Sequence, residues 1–354
     1  MQMKRNDFIL RRFFIKLFNW EYWPFHVVYF PIYFYWVWLM IKARSVFFFN
    51  TANPAIKNGG FLMESKKEIY DLIPQQFYPK TILVKKGTGI TPVHELLQKH
   101  SLKFPLVAKP DIGMRGLQVK LVSDYNTLLE YLNASKVDFI LQEYVDYNME
   151  AGIFYCRMPG EEKGKITGIV AKELLALCGD GIKTMEELII SNDRFLLQLP
   201  ALRREYGSSL QNILPAGETH LLVPYGNHSR GAKFIDASSR ADEALCEAID
   251  RVCRSIPGFY YGRLDIRFSN WESLKSGKEF SIIELNGAGS EPTHIYDPAH
   301  SVFFAWKEII KHLDMLYRIS MKNRKKYKLS FMSFREGMLM LRENRKQVEL
   351  ISAS

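Results

Sequence analysis

Gly262-Arg263-Leu264-Asp265-Ile266-Arg267-Phe268 and Ser281-Ile282-Ile283-Glu284-Leu285-Asn286 are the two segments on which the fold turns. Each alternates apolar with polar residues, the pattern of a half-buried strand. Residues 269–278, between them, form a polar turn region suited to joining antiparallel neighbours. Side chains two apart on a strand share a face, so Glu284 and Asn286 point the same way, and pairing brings Asp265 alongside them. Three hard oxygen donors then converge. That set suits Mg²⁺, which takes carboxylate, carbonyl and water oxygens and is usually shared with substrate phosphates. The plainer alternative has Asp265 and Glu284 facing solvent across a hairpin.

Outward from this stretch, 354 residues allow two or three domains, and 47% hydrophobic with 24% charged residues describes an ordinary globular chain. The net charge of +10 is uneven: residues 1–60 carry +6, residues 301–354 carry +7, and the middle is left at −3. Basic ends around a near-neutral body imply an anionic surface as partner. Because the first end is also strongly apolar, an anionic membrane surface fits better than nucleic acid, which is not expected as a partner. Cys156, Cys178, Cys246 and Cys253 form no C-x-x-C pair, so buried thiols in a reducing compartment are expected.

Lys4, Arg5, Arg11, Arg12 and Lys16 alternate with Phe8, Ile9, Leu10, Phe13 and Phe14, as in a short basic amphipathic helix. Residues 22–40 hold no formal charge and are crowded with aromatics, and Lys42 and Arg44 follow. About 20 apolar residues suffice to cross a bilayer. Pro24 and Pro31 interrupt the run, however, and with a cytoplasmic body a single span would put Lys4 to Lys16 on the far side of the membrane, against the positive-inside tendency. A peripheral, monotopic segment on the cytoplasmic side of the membrane is the expected arrangement. A single pass, or an apolar helix buried against the protein body, are the alternatives.

Further segments carry chemistry. Residues 104–110 read as an apolar strand ending in Lys109-Pro110, followed by a loop with Gly113, Arg115 and Gly116. Glycines let backbone amides approach phosphate oxygens, while Lys109 supplies a point charge. Residues 139–145 read as a buried strand turning polar at Gln142, Glu143, Tyr144 and Val145, with Glu150 beyond, and residues 169–172 as a strand ending in Lys172. Arg157 is a candidate for a substrate carboxylate or a surface ion pair. Thr184 with Glu187 three later predicts a capping box, hence a structural helix start. Arg230 and His228 sit in a second glycine-bearing loop, and Leu245, Ile249 and Val252 are spaced for the buried face of a helix over residues 240–256. Lys66 reads as a solvated surface lysine, and no role attaches to the helix-rich stretch 190–225.

Taken in order, K-P-x-x-G-x-x-G at 109–116, the strand at 139–145, Glu150, Lys172, R-x-D at 263–265 and E-x-N at 284–286 resemble the ATP-grasp ligases, a family that includes D-alanyl-D-alanine ligase, glutathione synthetase and cyanophycin synthetase. The resemblance spans residues 61–300. It implies an α+β, ATP-grasp fold in which two α/β subdomains clamp ATP, here behind an aromatic-rich, membrane-associated helical segment. The implied organisation is 1–60 membrane-associated segment, 61–101 lead-in helix and strand, 102–145 small subdomain, 146–300 large subdomain with the metal site, and 301–354 basic helical extension. The domain of about 100 residues that commonly precedes the grasp is replaced by the apolar segment.

The resemblance also implies roles. ATP would be held by Lys109, Gly113, Arg115, Gly116, Gln142, Glu143, Tyr144, Val145, Glu150 and Lys172, with Glu150 on the ribose and residues 143–145 at the adenine. Mg²⁺, or Mn²⁺ in its place, would sit on Asp265, Glu284 and Asn286. Arg263, Lys172 and Arg230 would act on the reacting groups. The implied activity is ATP-dependent joining of a carboxylate to an amine through an acyl phosphate, at the membrane surface, with both substrates unidentified and open to being lipid-linked. A phosphotransferase or a non-catalytic membrane adaptor on the same fold are the alternatives.

Overall fold

The computed structural model describes residues 5–113, 116–223 and 226–353. Two helices come first, α1 (Arg5–Phe18) and α2 (Phe25–Ala43). Then follow α3 (Lys66–Leu72), β1 (Thr81–Val84), α4 (Ile90–Lys99), β2 (Leu106–Pro110), β3 (Lys120–Val122), α5 (Tyr125–Ala134) and β4 (Phe139–Glu143). The middle of the chain runs β5 (Met149–Cys156), β6 (Lys165–Glu173), β7 (Leu175–Cys178), α6 (Met185–Ser191), α7 (Asp193–Tyr206), β8 (Thr219–Val223), β9 (Lys233–Asp236) and α8 (Glu243–Ser255). Last come β10 (Tyr261–Phe268), α9 (Trp271–Lys275), β11 (Phe280–Asn286), α10 (Val302–Tyr327) and α11 (Phe334–Ser352).

The strands form an antiparallel four-stranded sheet, β1-β4-β2-β3, an antiparallel five-stranded sheet, β11-β10-β5-β6-β9, and a β7-β8 pair. The chain is thus α+β. In the smaller sheet, Ile82, Leu106, Ala108 and Leu141 meet Val93 and Leu97 of α4 and Leu128 and Tyr131 of α5 in one apolar cluster. Its edge strand β1 comes from the stretch read as a lead-in.

Alternation on the larger sheet separates an apolar face from a charged one. Ala151, Ile153, Leu264, Ile266, Phe268, Ile282 and Leu285 point into the main core, against Leu245, Ile249 and Val252 of α8 and Ile69 and Tyr70 of α3. The other face carries Glu150, Arg263, Asp265 and Arg267, all half-buried or buried. Towards one end of β5 and β10 that face turns apolar at Phe154, Cys156 and Tyr261, which pack with Leu39 and Ala43 of α2 and Met315, Leu316 and Ile319 of α10.

Local signals behave as their chemistry requires. Thr184 and Glu187 make the expected capping box, and the core-facing residues of α8 are those the spacing indicated. The turn region 269–278 contains α9, started by Asn270 accepting from the Ser273 amide. Only Cys156 and Cys253 are buried; Cys178 is exposed, which corrects the expectation of four buried thiols. No helix among the described residues is long and apolar enough to cross a membrane. Helix α2 instead lays Val28, Ile32, Leu39 and Ala43 against the body, largely on α10.

Beneath the apolar end of the sheet, His312 of α10 is 1% exposed. Its Nδ1 lies 2.8 Å from the Glu308 carbonyl oxygen, its Nε2 2.9 Å from Thr167 Oγ1, and the Phe154 ring packs on it. A neutral imidazole donating through Nδ1 and accepting at Nε2 satisfies both contacts. Burial pushes the His312 pKa down to about 4, while contact with His294 first, then Lys311, holds the Glu308 carboxyl at about 2. His312 therefore stabilises the fold above its unfolded value of 6.5, and that contribution is lost as pH falls towards 4. Urea unfolding at pH 5 is expected to show about 2 kcal/mol less stability than at pH 7 from this group. His312→Leu should flatten the slope over that interval; Glu308 acts only below pH 4.5.

Candidate active site

Cross-strand register assembles the charged face. Asp265 pairs with Glu284 on one side and Gly152 on the other, Arg263 pairs with Asn286, and Arg267 pairs with Glu150. A Cβ on Gly152 would stand 3.0 Å from Asp265 Oδ1 and 2.9 Å from Val170 Cγ1, so a side chain there would crowd the carboxylate. Lys172, from β6, reaches across this gap: its Nζ donates to Asp265 Oδ1 at 2.8 Å and to Glu150 Oε1 at 2.9 Å. Arg263 donates to Asp265 Oδ2 through Nη2 at 3.0 Å, and Asn286 through Nδ2 at 3.2 Å. Arg267 Nε donates to Glu150 Oε2 at 3.3 Å.

Burial alone would raise the Asp265 carboxyl, but Arg263 and Lys172 outweigh it and hold the group at about 2. Burial acts against the Lys172 charge as well, and Asp265 and Glu150 more than offset it, raising its pKa. Asp265 and Lys172 are ionised at neutral pH.

Lys109, from β2 of the smaller sheet, is a different kind of cation. It is 7% exposed, and its Nζ donates to Tyr70 Oη at 3.1 Å, Gln142 Oε1 at 3.0 Å and the Ile283 carbonyl of β11 at 2.8 Å. All three acceptors are neutral. Burial lowers its pKa, opposed only at longer range by Glu284, Asp265 and Glu150. Lys109 is thus a buried ammonium bonded only to neutral groups at the junction of two sheets, unlike Lys172, whose partners are carboxylates.

The loops close over this junction. Lys66 donates to the Gly113 carbonyl at 2.8 Å and lies 3.5 Å from Glu284, so it ties the first glycine loop to β11 and is not the solvated lysine expected. Gly116, at φ +68°, abuts Asn227 of the second loop, while Gly226 lies directly against Glu150 and Lys172, leaving no room for a Cβ. Two adjoining clefts, about 340 and 540 Å³, meet at Glu205 and Arg230, with α7 walling one and β3 and α5 the other. Lys109, Lys172 and Asp265 line neither; ion pairs and Gly226 fill the space beside Lys172 and Asp265.

The structure thus brings together Lys109, Gln142, Glu150, Lys172, Arg263, Asp265, Glu284 and Asn286. It places Arg230 apart, in the clefts, and Arg157 at the far end of β5, with its guanidinium 4.6 Å from the Tyr260 ring centre. Glu143 is exposed, Val145 gives its carbonyl to Arg267 Nη1 at 2.9 Å, and the Tyr144 ring lies under the same guanidinium. Arg115 lies outside the described residues. Sequence reasoning missed Arg267, although Arg263, Asp265 and Arg267 share one strand face by simple alternation. It also missed Tyr70, Gly152 and the reach of the N-terminal segment. Tyr29 of α2 donates to the Glu291 carboxylate, whose backbone oxygen accepts from Arg263 Nη1 at 3.2 Å. Buried Glu21 accepts from Arg194 at 2.8 Å and lies 2.8 Å from His228 Nε2 in the second loop.

For a divalent cation the donors are two carboxylates and an amide, all oxygen chemistry. Among the described residues no three His, Cys, Asp or Glu side chains are grouped to hold a metal. The oxygens suit a hard cation such as Mg²⁺, but both Asp265 oxygens accept here from Lys172, Arg263 and the Asn286 amide nitrogen, so holding one would require Asp265 to release a partner and Asn286 to turn its Oδ1 inward.

No family model and no curated protein matches the chain. Solved structures do: a D-alanine–D-alanine ligase from Bacillus anthracis (16% identity, 74% of this chain and 68% of that one, TM-score 0.42), a D-Ala:D-Ser ligase from Enterococcus faecalis (14%, 74% and 61%, 0.40) and a bifunctional glutathione synthetase from Pasteurella multocida (15%, 74% and 38%, 0.38). The chain spans well under half of the last. It is structurally similar to ATP-grasp enzymes at low sequence identity.

Proposed function

We propose that this chain is an ATP- and Mg²⁺-dependent carboxylate–amine ligase, working on the cytoplasmic side of a membrane. The observation that carries the reading is Lys109: a fully buried ammonium, bonded only to neutral acceptors, placed where the smaller sheet touches the strand that carries Glu284 and Asn286. A lysine kept only to bridge the sheets would carry the cost of burying a charge, which a neutral side chain filling the same space avoids.

The chemistry divides among the chain's own residues. Lys109 and Lys172 hold the oxygens of the phosphoryl group in transfer, where fixed cations act without reorganising. A substrate carboxylate oxygen bonds to the γ-phosphorus as the bond to ADP breaks, giving an acyl phosphate. Arg263, anchored by Asp265 and the Glu291 carbonyl, faces the charge that grows on the acyl oxygen. An amine nitrogen then bonds to the acyl carbon, phosphate leaves, and the amine proton passes to solvent. Asp265, Glu284 and Asn286 would hold Mg²⁺, or Mn²⁺ in its place, which supplies charge neutralisation to the phosphate oxygens. Nucleotide entry requires residues 226–231 to lift from Glu150 and Lys172, and Lys172 to exchange a carboxylate for phosphate.

The test is ADP release from ATP across paired libraries of carboxylates and amines. Turnover that needs both partners, and is lost in Asp265→Asn, is the expected result. ADP formed without any amine would identify a phosphotransferase, and absence of Mg·ATP binding in calorimetry would leave a non-catalytic adaptor.

A further inference from the structure

Helices α1 and α2 each show an apolar stripe to the outside. On α1, Ile9, Leu10, Phe13, Phe14, Leu17 and Phe18 are 44–77% exposed and recur at the spacing of one helix face. On α2, Val27, Phe30, Phe34, Val37, Trp38 and Ile41 are 48–71% exposed and lie opposite the buried Val28, Ile32, Leu39 and Ala43. An ordinary surface helix is polar on its outer side; α2 is apolar on both. With aromatic side chains at roughly 150–250 Å² each, a half-exposed stripe of six such residues reaches on the order of 500 Å². Each stripe is thus at the upper end of the largest apolar patch usual on a soluble monomer, about 300–600 Å², and there are two.

The surface is held rigidly. On its inner side Trp20 Nε1 donates to the His300 carbonyl at 2.7 Å, Trp306 Nε1 donates to the Val28 carbonyl at 2.8 Å, and Glu21 is locked between Arg194 and His228. The apolar stripes are therefore not a segment waiting to fold inward, since the inward positions are taken.

Charge decides what covers the surface. From Asp7 to Arg44 the exposed charged side chains are Lys16, Lys42 and Arg44, each next to or near an exposed apolar residue, against the single exposed carboxylate Asp7 in the first turn of α1; the other carboxylate, Glu21, is turned inward and buried. A second copy of the chain would bring like charges face to face, which opposes association. An anionic lipid surface attracts them while accepting the aromatic stripes at headgroup depth. We infer that the outer face of α1 and α2 docks in the plane of a bilayer containing anionic lipid. The inference rests on the membrane location proposed above and not on the ligation chemistry.

The experiment is co-sedimentation of the full chain with vesicles of phosphatidylcholine alone or mixed with phosphatidylglycerol, at low and high salt. The double variant Phe30→Glu/Phe34→Glu places charge at two positions 62% and 69% exposed, and Ile182→Glu, at 79% exposed, is the control on another surface. Expected is binding to the phosphatidylglycerol vesicles that weakens with salt, falls at least about tenfold in the double variant, and persists in the control. Gel filtration establishes that the double variant remains folded. Undiminished binding by the double variant overturns this surface while the membrane location stands. No binding to either vesicle overturns the location itself, and equal binding to both compositions overturns the anionic preference. A dimer that the double variant converts to monomer, without lipid binding, assigns the face to a second copy.

Discussion

Lys109→Met is expected to lower ATP turnover by at least about 100-fold while leaving the melting temperature unchanged or a few degrees higher. The two halves of that result come from one fact, the burial of an ammonium with no carboxylate in contact. Methionine matches the length of the lysine stem and removes a desolvation cost of several kcal/mol. Against this, Gln142 Oε1 loses its donor, a penalty of about 1–3 kcal/mol; the Ile283 carbonyl still accepts from Tyr70 Oη. Desolvation is the larger effect, so stability does not fall. Activity does, because the buried charge is what opposes phosphate in the transition state. Thermal unfolding and a coupled ADP assay on the same preparation check both. A sharp loss of stability would make Lys109 a structural residue and remove the observation on which the ligase reading stands.

The strands carrying this site were legible because alternation is a local property. Arg263 through Phe268 and Glu284 through Asn286 declare their faces in the sequence, with Asp265 opposite Glu284, whereas the register shift at Ile283, which sets Ile282 in the core beside Leu285, does not show in the alternation. What the sequence could not show is which cation each carboxylate meets, since Lys172 and Glu150 arrive from other strands whose stacking is a tertiary matter. Lys66 was misjudged for the same reason: on a helix by itself it is a surface lysine, and only the approach of Gly113 and Glu284 half-buries it. The family resemblance groups Arg230 with the reacting residues, but a loop's direction depends on what it packs against, and here Arg230 lines the clefts beside α7. The extension 301–354 reads as helical in the sequence, and the break between its two helices, α10 and α11, is set where Ser333 and Glu336 form a capping box. The N-terminal segment reads chiefly for lipid, with burial against the body as an alternative, and its polar residues Glu21 and Tyr29 reach Arg194, His228 and Glu291 beside the site, contacts that no local pattern announces.

Asp265→Asn and Glu284→Gln separate the two duties of the metal-binding strands. Asp265 is 3% exposed and neutralises Lys172 and Arg263 together. Its neutral analogue leaves Lys172, Arg263 and Arg267 with the single carboxylate of Glu150 among them, so about 3–5 kcal/mol of stability should disappear along with activity. Glu284 is half-exposed, and its contact is the Lys66 ammonium at 3.5 Å. An exposed pair of that kind contributes at most about 1 kcal/mol, so Glu284→Gln should unfold like the native chain and yet lose ADP formation about as fully as Asp265→Asn. Denaturant unfolding and ADP release, measured on both variants across a Mg²⁺ titration, give four results of which three are expected to be losses. If Glu284→Gln turns over ATP normally at limiting Mg²⁺, the cation does not sit between β10 and β11. Asp265 would then be read as the buried counter-ion of Lys172 and Arg263, and the charged face as scaffolding for chemistry elsewhere in the cleft.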